Sequence, residues 1–477
     1  MQTDQHVLER RLKAVLETHL PGFEELLAAE RLSGGASQET YRIRICANGA
    51  ESKLAMRRLA GGEAGEENPD RPGLAVEAKL MQVAGAAGVP EPEIVHVLRP
   101  EDGLGAGFLM EWLDGETLGS KILRAPELDD IRPQLAYQCG QILARIHNID
   151  VRATGLDQAL KTVSTEQFIH QLWDEYKRFG TPQPMVDYTA RWLLDNMPET
   201  DGYRLVHNDF RNGNVMVTPG GINAVLDWEV AHIGDPIRDL GWICTNSWRF
   251  GKRENMVGGF GQLDDLLAGY KAESGREIAP AHVHFWTVFG SYWWAIGCLG
   301  MTEKWRNGPD ASVERPGIAR RSSECQMDCA NMIIPGPVKL VPESAPESVT
   351  DSTRIDELLV SVRDFLRNDI RPAVTGRNSF MALVASNSLD IVLRELAIMP
   401  AHLTAESERL KTLLGTDGDD DVLVLRRQLS KALQNGDLAP DHPGLADHLR
   451  QTMANQLAID QPKYSGLAEA LEISGRS

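Results

Sequence analysis

The sequence predicts an α+β protein, in which a β-rich N-terminal segment and a mixed central segment precede an all-helical C-terminal region. Alternating apolar and polar residues over 31–45 and 53–58 predict strands near the N-terminus. Two short apolar runs at 215–217 and 224–226, separated by a Pro-Gly-Gly turn, predict a buried hairpin. Near the C-terminus, apolar residues recur every three or four positions, which predicts helices at 354–367, 379–399, 404–414, 422–434 and 444–459.

The length and amino-acid composition of the chain indicate which classes of partner and which cellular location to expect. A chain of 477 residues is long enough for two or three domains. A net charge of −19 argues against nucleic acid or an anionic membrane as the main partner. The six cysteines form no C-x-x-C pair, and no apolar signal-peptide core follows Met1. We therefore expect reduced thiols and a cytoplasmic location.

One uncharged stretch, 285–302, approaches the length of a membrane span. It contains three glycines, its aromatic residues lie in the middle, and no Lys/Arg bias flanks it. We therefore expect a buried helix there.

Polar groups with the chemistry of a metal and phosphate site border the predicted hairpin. Asp209 and Asn214 precede its first strand, and Asp227 follows its second. Carboxylate and amide oxygens are ligands that Mg²⁺ prefers, and a carboxylate also accepts a proton from a hydroxyl group. A turn-rich hairpin with solvated acids is the alternative, but H-x-D-x4-N and D-W-E occur in order within 207–229.

At these residues the chain resembles the aminoglycoside phosphotransferase family, whose fold is similar to that of protein kinases. That family carries H-G-D-x4-N followed by an I-D-W-E-like strand end, and Asn208 stands where glycine is usual. The resemblance implies a bilobal protein-kinase-like fold with a small β-rich N-lobe and a helical C-lobe, and it implies ATP and Mg²⁺ as cofactors. Its site residues would be the catalytic base Asp209 with His207, and the metal-binding group Asn214, Asp227 and Glu229.

A glycine turn between the first two predicted strands contains Gly34, Gly35, Ser37 and Gln38. Such a turn lets backbone N–H groups approach an anion closely. It lacks the lysine of a Walker loop, so an ordinary hairpin turn is the alternative. By resemblance it is the loop that covers the nucleotide.

The strand at 53–58 places Ala55 and Arg57 on one face. It is similar to the V-A-I-K strand of kinases, with Arg57 in the lysine position. Lys53 lies on the same face and is the second candidate, and a solvated strand cation is the alternative. By resemblance Glu77, at the start of a predicted helix over 74–87, pairs with Arg57; a first-turn acid favoured by the helix dipole is the alternative.

The resemblance extends to the segments that follow. Residues 110–115 match the crossover between lobes, where Glu111 and Leu113 would lie beside adenine. We expect His147, at the end of a helix over 127–148, to be a hydrogen-bonded core residue, and Asp239 to brace the catalytic loop. Helices at 165–180 and 184–197 occupy the place of a substrate-facing insert, or form an ordinary amphipathic pair. Further helices are predicted at about 254–274, 281–305 and 311–334.

We predict four segments: a nucleotide-binding lobe at 1–114, a catalytic lobe at 115–335, a linker at 336–352, and a helical domain at 353–477. The linker prediction rests on four prolines between 335 and 346 without apolar periodicity. The family resemblance covers about 25–335. The last segment resembles a helical domain of unknown role that is attached to such phosphotransferases.

Together these residues predict an enzyme that transfers the γ-phosphoryl group of ATP to a hydroxyl group of a small molecule. The branch with arginine in the lysine position resembles domains fused to acyl-CoA dehydrogenases, which suggests a hydroxyacyl-CoA or another metabolite as acceptor. Two alternatives are an ATP-binding pseudokinase-like module and a scaffold that acts through its helical tail. The acceptor, the choice of ATP over GTP and the oligomeric state stay open.

Overall fold

The computed structural model describes residues 2–34, 38–64, 66–68, 71–308, 311–344 and 352–475. The chain forms two compact units. The first consists of Met1–Ser164 and Glu199–Trp286, and the second of Thr165–Pro198 and Thr287–Ser477. The helices expected as an insert and the end of the expected catalytic lobe therefore share a unit with the C-terminal helices. The four-segment division stays a prediction about which pieces fold independently.

The first unit begins with a helix that packs on an antiparallel sheet. The sheet has the strand order β1, β2, β3, β5, β4. Side chains alternate along the second strand, so Tyr41, Ile43 and Ile45 are buried against Leu12 and Leu16 of the first helix. The elements are α1 (Gln2–His19), β1 (Phe23–Gly34), β2 (Gln38–Ala47), β3 (Ala50–Leu59), α2 (Leu74–Ala86), β4 (Ile94–Val97) and β5 (Gly107–Glu111).

The remainder of the first unit carries the predicted hairpin. It forms from β7 (Val215–Thr218) and β8 (Gly221–Val225), and β6 (Arg204–Val206) pairs with β9 (His232–Gly234). Among the described residues, this part is completed by the helices α3 (Gly119–Ile122), α4 (Leu135–His147), α7 (Ile237–Ile243) and α8 (Leu263–Ser274). The helices α4 and α8 approach so closely that a Cβ at Gly140 or Gly269 would collide with the opposite backbone.

Two predicted helices in this unit begin later than expected. The helix predicted from 127 begins at Leu135, after 3₁₀ turns at Pro126–Leu128 and Arg132–Gln134. Prolines at 126 and 133 have no N–H group to donate into a continuous helix. The helix predicted from 254 begins at Leu263, because Gly258 and Gly259 adopt positive φ angles of 55° and 78°.

The second unit is helical. Its first elements are α5 (Thr165–Arg178) and α6 (Pro184–Asp195), followed by α9 (Pro280–Asn307), which starts in the first unit, and by α10 (Glu314–Arg320) and α11 (Ser322–Ile333). The stretch 285–302 lies inside α9, and in the described part of the chain no helix is long and apolar enough to cross a membrane. The helix expected at 311–334 is divided at Arg321, for which the local sequence gives no reason.

The C-terminal helices are α12 (Ile355–Phe365), continued by a π-helical turn (Leu366–Ile370), α13 (Arg371–Ala373), α14 (Gly376–Leu414), α15 (Val422–Asn435), α16 (Leu445–Asp460) and α17 (Ser465–Ser474). The prediction of separate helices at 379–399 and 404–414 was wrong, because α14 continues through Pro400. Packing of α14 against α15 and α16 outweighs the missing N–H group of that proline. Helix α17 was not predicted.

The first part of the predicted linker is fixed to the last helices. The N–H groups of Val338, Lys339 and Val341 donate to Ser474 Oγ, Gln451 Oε1 and Asn455 Oδ1, at 2.7, 2.8 and 2.8 Å. Residues 345–351 of the predicted linker lie outside the described residues. The linker is therefore tethered to the helical tail over its N-terminal half.

Candidate active site

The loop between β6 and β7 holds the predicted base, Asp209. One carboxylate oxygen, Oδ1, accepts a hydrogen bond from Trp242 Nε1 at 2.8 Å and one from Arg211 Nε at 3.1 Å. The other, Oδ2, accepts from Asn214 Nδ2 at 2.6 Å. Because donors hold both oxygens and the side chain is only 18% exposed, the carboxylate has a fixed orientation.

Asp239 braces this loop from beneath, as predicted. Its carboxylate accepts the backbone N–H groups of His207 and Asn208 at 2.8 and 2.7 Å. It also bonds to His147 Nε2 at 3.1 Å, whose Nδ1 bonds to Tyr270 Oη at 3.0 Å, so the expected core role of His147 is confirmed. Burial opposes ionisation of Asp239, but these hydrogen bonds outweigh it and lower its pKa.

Asn208 adopts a backbone conformation that explains its place in the motif. Its φ angle is 66°, in the left-handed region that glycine enters freely and that asparagine tolerates better than most residues. Its side-chain Nδ2 donates to the carbonyl of Val230 at 3.3 Å. The departure from glycine therefore keeps the turn and adds a side-chain contact.

His207, expected within the catalytic group, supports the loop instead of facing a reactant. Its ring is fully buried, and Nδ1 accepts the N–H of Asp209 at 3.2 Å while Nε2 donates to the carbonyl of Leu226 at 3.1 Å. Burial lowers its pKa, so the ring is neutral near pH 7. Since both nitrogens are used within the protein, this geometry makes His207 a positioning residue.

Asn214 and Asp227 meet across the hairpin. The N–H of Leu226 donates to the carbonyl of Asn214 at 2.8 Å, which places the residue after Leu226 beside Asn214. The nitrogen of the Asn214 side chain serves Asp209, so its remaining ligand atom is the amide oxygen. Asp227 has a φ of 71°, a strained value for a residue other than glycine. A carboxylate and an amide oxygen at one strand end fit Mg²⁺, although their metal role stays a prediction.

Arg57 lies where three acceptors converge. Its Nη1 is 2.9 Å from Glu77 Oε1, and its Nη2 is 2.6 Å from Asp227 Oδ1. Its Nε donates to Gln38 Oε1. The predicted pairing of Arg57 with Glu77 is therefore confirmed, and the same guanidinium also reaches Asp227.

The two candidate cations lie at different positions along β3. The backbone of Arg57 pairs with Thr40 of β2, whereas that of Lys53, nearer the start of β3, pairs with Arg44. The side chain of Arg57 is 18% exposed, whereas Lys53 is exposed to solvent. The contacts therefore favour Arg57 over Lys53 as the cation of this site.

The pKa values of the two acids beside Arg57 are shifted in opposite directions. Burial raises the pKa of Glu77 to about 7, and the attraction of Arg57 compensates only in part because Asp227 and Glu229 repel the second negative charge. Burial also acts on Asp227, but there the Arg57 guanidinium prevails and lowers the pKa. Asp227 is thus an anion at neutral pH, whereas Glu77 changes its charge close to pH 7.

Glu229, expected to support the metal, contacts a cation of the preceding loop. Its Oε1 lies 2.6 Å from Arg71 Nη1, and the side chain is 26% exposed. Nothing near Arg71 in the sequence indicated it as a partner of Glu229. A metal role for Glu229 stays a prediction.

The structure describes only some of the residues that are expected beside the nucleotide. Gly34 ends β1 and pairs with Glu39, whereas Gly35 and Ser37 lie outside the described residues. Glu111 closes β5 opposite Leu54, and Leu113 follows in the half-exposed segment after the strand. Nucleotide contacts at these positions remain predictions.

Besides Arg71, three residues at the site were not predicted from the sequence. Trp242 and Arg211 both contact Asp209, and Arg211 also stacks over Trp248 with its Cζ 4.4 Å from the ring centroid. Glu91 accepts a hydrogen bond from Trp228 Nε1 at 3.0 Å, and burial raises its pKa well above the ordinary value. Trp242 had a usable signal, because it lies three residues after Asp239 on α7 and so on the same helix face.

The site thus combines a fixed carboxylate, the side-chain oxygens of Asn214 and Asp227, and a largely buried guanidinium within one unit. A carboxylate that faces a hydroxyl group removes its proton, and a guanidinium neutralises phosphate oxygens. This combination suits transfer of a phosphoryl group, in which positioning and charge neutralisation provide most of the catalysis.

Comparison with known proteins agrees with this chemistry. The model of the phosphotransferase enzyme family (APH) matches residues 28–275, and a domain of unknown function, DUF6285, matches 372–464. Acyl-CoA dehydrogenase family member 10 of Mus musculus is 32% identical over 250 residues, and family member 11 of Rattus norvegicus is 26% identical over 246. These alignments include 51% and 48% of this chain but only 22% and 30% of the relatives, so the chain spans less than a third of either.

A solved structure shows the same fold. It is a candidate aminoglycoside phosphotransferase of Ralstonia eutropha JMP134, with a TM-score of 0.54 and 23% identity, and the match covers 66% of this chain and 95% of that one. The predicted protein-kinase-like α+β fold followed by helices is therefore confirmed. Because the family model covers more than half of its residues, this chain belongs to the phosphotransferase enzyme family.

Proposed function

We propose that this protein transfers the γ-phosphoryl group of ATP to a hydroxyl group of a small molecule. The observation that carries the proposal is the convergence of Asp209, Asn214, Asp227 and Arg57, with Asp209 held by three side-chain donors and Arg57 by Glu77 and Asp227. A nucleotide-binding module without catalysis does not require an oriented carboxylate in this position.

The residues divide the reaction among them. Asp209 orients the acceptor hydroxyl and takes its proton as the oxygen attacks the γ-phosphorus. The bond from that phosphorus to the bridging oxygen breaks, and ADP leaves with the electron pair. Asn214 and Asp227 would hold Mg²⁺, which when bound neutralises charge on the phosphates. Arg57, kept in place by Glu77, would steady the phosphate oxygens.

For the acceptor, the relatives suggest a hydroxyacyl-CoA. The two relatives named above are acyl-CoA dehydrogenase family members, and each aligns over about half of this chain. A kinase domain joined to a dehydrogenase is well placed to act on a hydroxylated acyl thioester. The CoA part of such an acceptor carries negatively charged phosphates, whereas the chain has a net charge of −19. Binding therefore requires positively charged side chains at the acceptor site.

The test is phosphorylation by the purified full-length chain. It is incubated with Mg²⁺ and ATP labelled at the γ-phosphate, together with a series of hydroxyacyl-CoA thioesters or a fractionated metabolite extract. We expect label in an acceptor with the wild-type chain and none with Asp209→Asn, which serves as a matched control because amide and carboxylate have the same shape. GTP in place of ATP measures the nucleotide preference.

Each result has a defined meaning. Label in a metabolite other than a thioester keeps the phosphotransferase proposal and rejects the acceptor class. ATP binding without transfer to any acceptor, with equal hydrolysis by wild type and Asp209→Asn, would instead indicate a pseudokinase-like module. Absence of ATP binding would leave a scaffold that acts through its tail.

A further inference from the structure

Helix α12 carries an apolar stripe that the described part of the chain does not cover. Ile355, Leu358, Val362 and Phe365 recur at spacings of three, four and three residues, and they are 58%, 55%, 51% and 52% exposed. No residue of α12 is buried among the described residues. The helix precedes the matched domain of unknown function and lies outside both family models.

This stripe is distinct from the face by which α12 packs in its own chain. Leu359 and Leu366 are half-buried, and Arg363 and Arg367 are tied to Asp390 of α14 at 3.2 and 2.6 Å. The helices α12 and α14 thus form a hairpin held along one side. The apolar stripe of α12 is exposed to solvent. A helix in a bundle has such an exposed stripe when one of its neighbouring helices is absent.

The exposed area of the stripe is comparable to that of a functional patch. Four such side chains, each about half exposed, offer roughly 400 Å² of apolar surface, which is within the size of functional patches on single chains. That is about half of the roughly 800 Å² that each partner buries in a stable interface, and flanking polar side chains supply the remainder.

The sequence of the stripe is complementary to itself. Its spacing matches the a and d positions of a heptad repeat, with Ile355 and Val362 at a and Leu358 and Phe365 at d. In an antiparallel pair with a two-fold axis near Val360, Ile355 faces the partner's Phe365 and Leu358 faces the partner's Val362. The adjoining g positions are Arg354, Ser361 and Asn368, so no two carboxylates are brought together there.

Local charge also favours a second copy over an oppositely charged partner. The segment 352–394 contains six arginines (354, 363, 367, 371, 377 and 394) and five acids (356, 357, 364, 369 and 390), a net charge of +1 in a chain of −19. Two copies that meet elsewhere repel each other on average, whereas this segment is nearly neutral.

We propose that the α12–α14 hairpin is a self-association surface, on which two copies of this chain form an antiparallel four-helix bundle with the α12 stripes at its centre. In a two-fold symmetric interface each residue contact occurs twice. The four apolar residues of each chain therefore contribute two equivalent sets of contacts to the dimer. This inference does not depend on the proposed function, because it concerns the helical unit alone.

The test is the molar mass of the full-length chain in solution, measured by light scattering and sedimentation at increasing protein concentration. We expect a dimer for the wild type and self-association weakened at least ~100-fold by Leu358→Glu or Val362→Glu, because each substitution places two charges in the apolar seam. Leu423→Glu on α15 is the matched control, since Leu423 is also exposed, at 40%, and its substitution should leave the dimer intact. Circular dichroism should show unchanged helix content for all three variants.

A second experiment locates the contact. Ser361 flanks the stripe and is adjacent to Val360, near the two-fold axis, so Ser361→Cys should form a disulfide-linked dimer on oxidation, whereas Thr412→Cys, exposed on the far part of α14, should not. A monomeric wild type would overturn the proposal. So would a dimer that survives Leu358→Glu, or equal cross-linking of the two cysteine variants, because each outcome means that the stripe does not mediate the contact.

Discussion

Replacing Glu77 by glutamine should stabilise the protein, and the gain should depend on pH. Glu77 is 1% exposed, and its pKa rises from the ordinary 4.5 to about 7 on folding. Between these two values the folded chain binds a proton that the unfolded chain has released. The contribution of Glu77 to the free energy of unfolding is therefore highest below pH 4.5 and falls as the pH rises towards 7.

The size of the effect follows from the same interval. At about 1.36 kcal/mol per pH unit, ionised Glu77 costs roughly 3 kcal/mol at pH 8 relative to a side chain that stays neutral. At pH 4.5 the cost is well below that value, because the acid is protonated in the folded chain and half protonated in the unfolded chain. Glu77→Gln keeps the size of the side chain and removes the titration.

The assay is chemical unfolding of wild type and Glu77→Gln at pH 8 and at pH 5, with Glu111→Gln as an exposed control that should change neither value. We expect the free energy of unfolding of Glu77→Gln to exceed that of wild type at pH 8 and to approach it at pH 5. Phosphotransfer should decrease, since Arg57 loses a charged partner. A variant that is less stable at pH 8, or equally altered at both pH values, would refute the assignment of Glu77 as a buried titrating acid.

Four further results are expected. Asp209→Asn should retain ATP binding in calorimetry and lower turnover by at least ~10²-fold; near-normal turnover would remove Asp209 from the role of base. Asp227→Ala should weaken binding of Mg–ATP far more than binding of metal-free adenosine, and equal losses would contradict a metal role. Arg57→Ala should raise the ATP requirement and lower turnover, with Arg57→Lys intermediate and Lys53→Ala close to wild type in steady-state kinetics; the opposite order for Arg57 and Lys53 would transfer the phosphate contact to Lys53. Proteolysis within 342–352 should give fragments that co-elute in size exclusion, because residues 338–341 are bound to α16 and α17; separate elution would show that the tail is independent.

The parts of the site that were predictable are those encoded locally. The hairpin, the loop with Asp209 and Asn214, and the strand end at Asp227 lie within a short stretch whose apolar runs and turn residues fix their spacing. The pairing of Arg57 with Glu77 was accessible only through the family resemblance, since 20 positions separate the two residues.

The contacts that were missed depend on packing between distant segments. Glu91 and Trp228 are 137 residues apart, and nothing near either residue indicates that a buried carboxyl group meets an indole N–H. Helix boundaries failed for a related reason. A proline such as Pro400 is unfavourable inside a helix, but contacts of α14 with its neighbours decide whether the helix ends there.

Pro400 has a consequence for how the chain is threaded through the second unit. A proline inside a helix has no N–H group for the carbonyl four residues earlier, here that of Leu396, and its ring bends the preceding turn. The carbonyl of Ala397, in that turn, accepts both the N–H of Ser344 at 2.9 Å and its hydroxyl at 3.2 Å. The turn of α14 that precedes the proline is therefore also the place where Ser344, at the end of the segment 338–344, is attached to the helix.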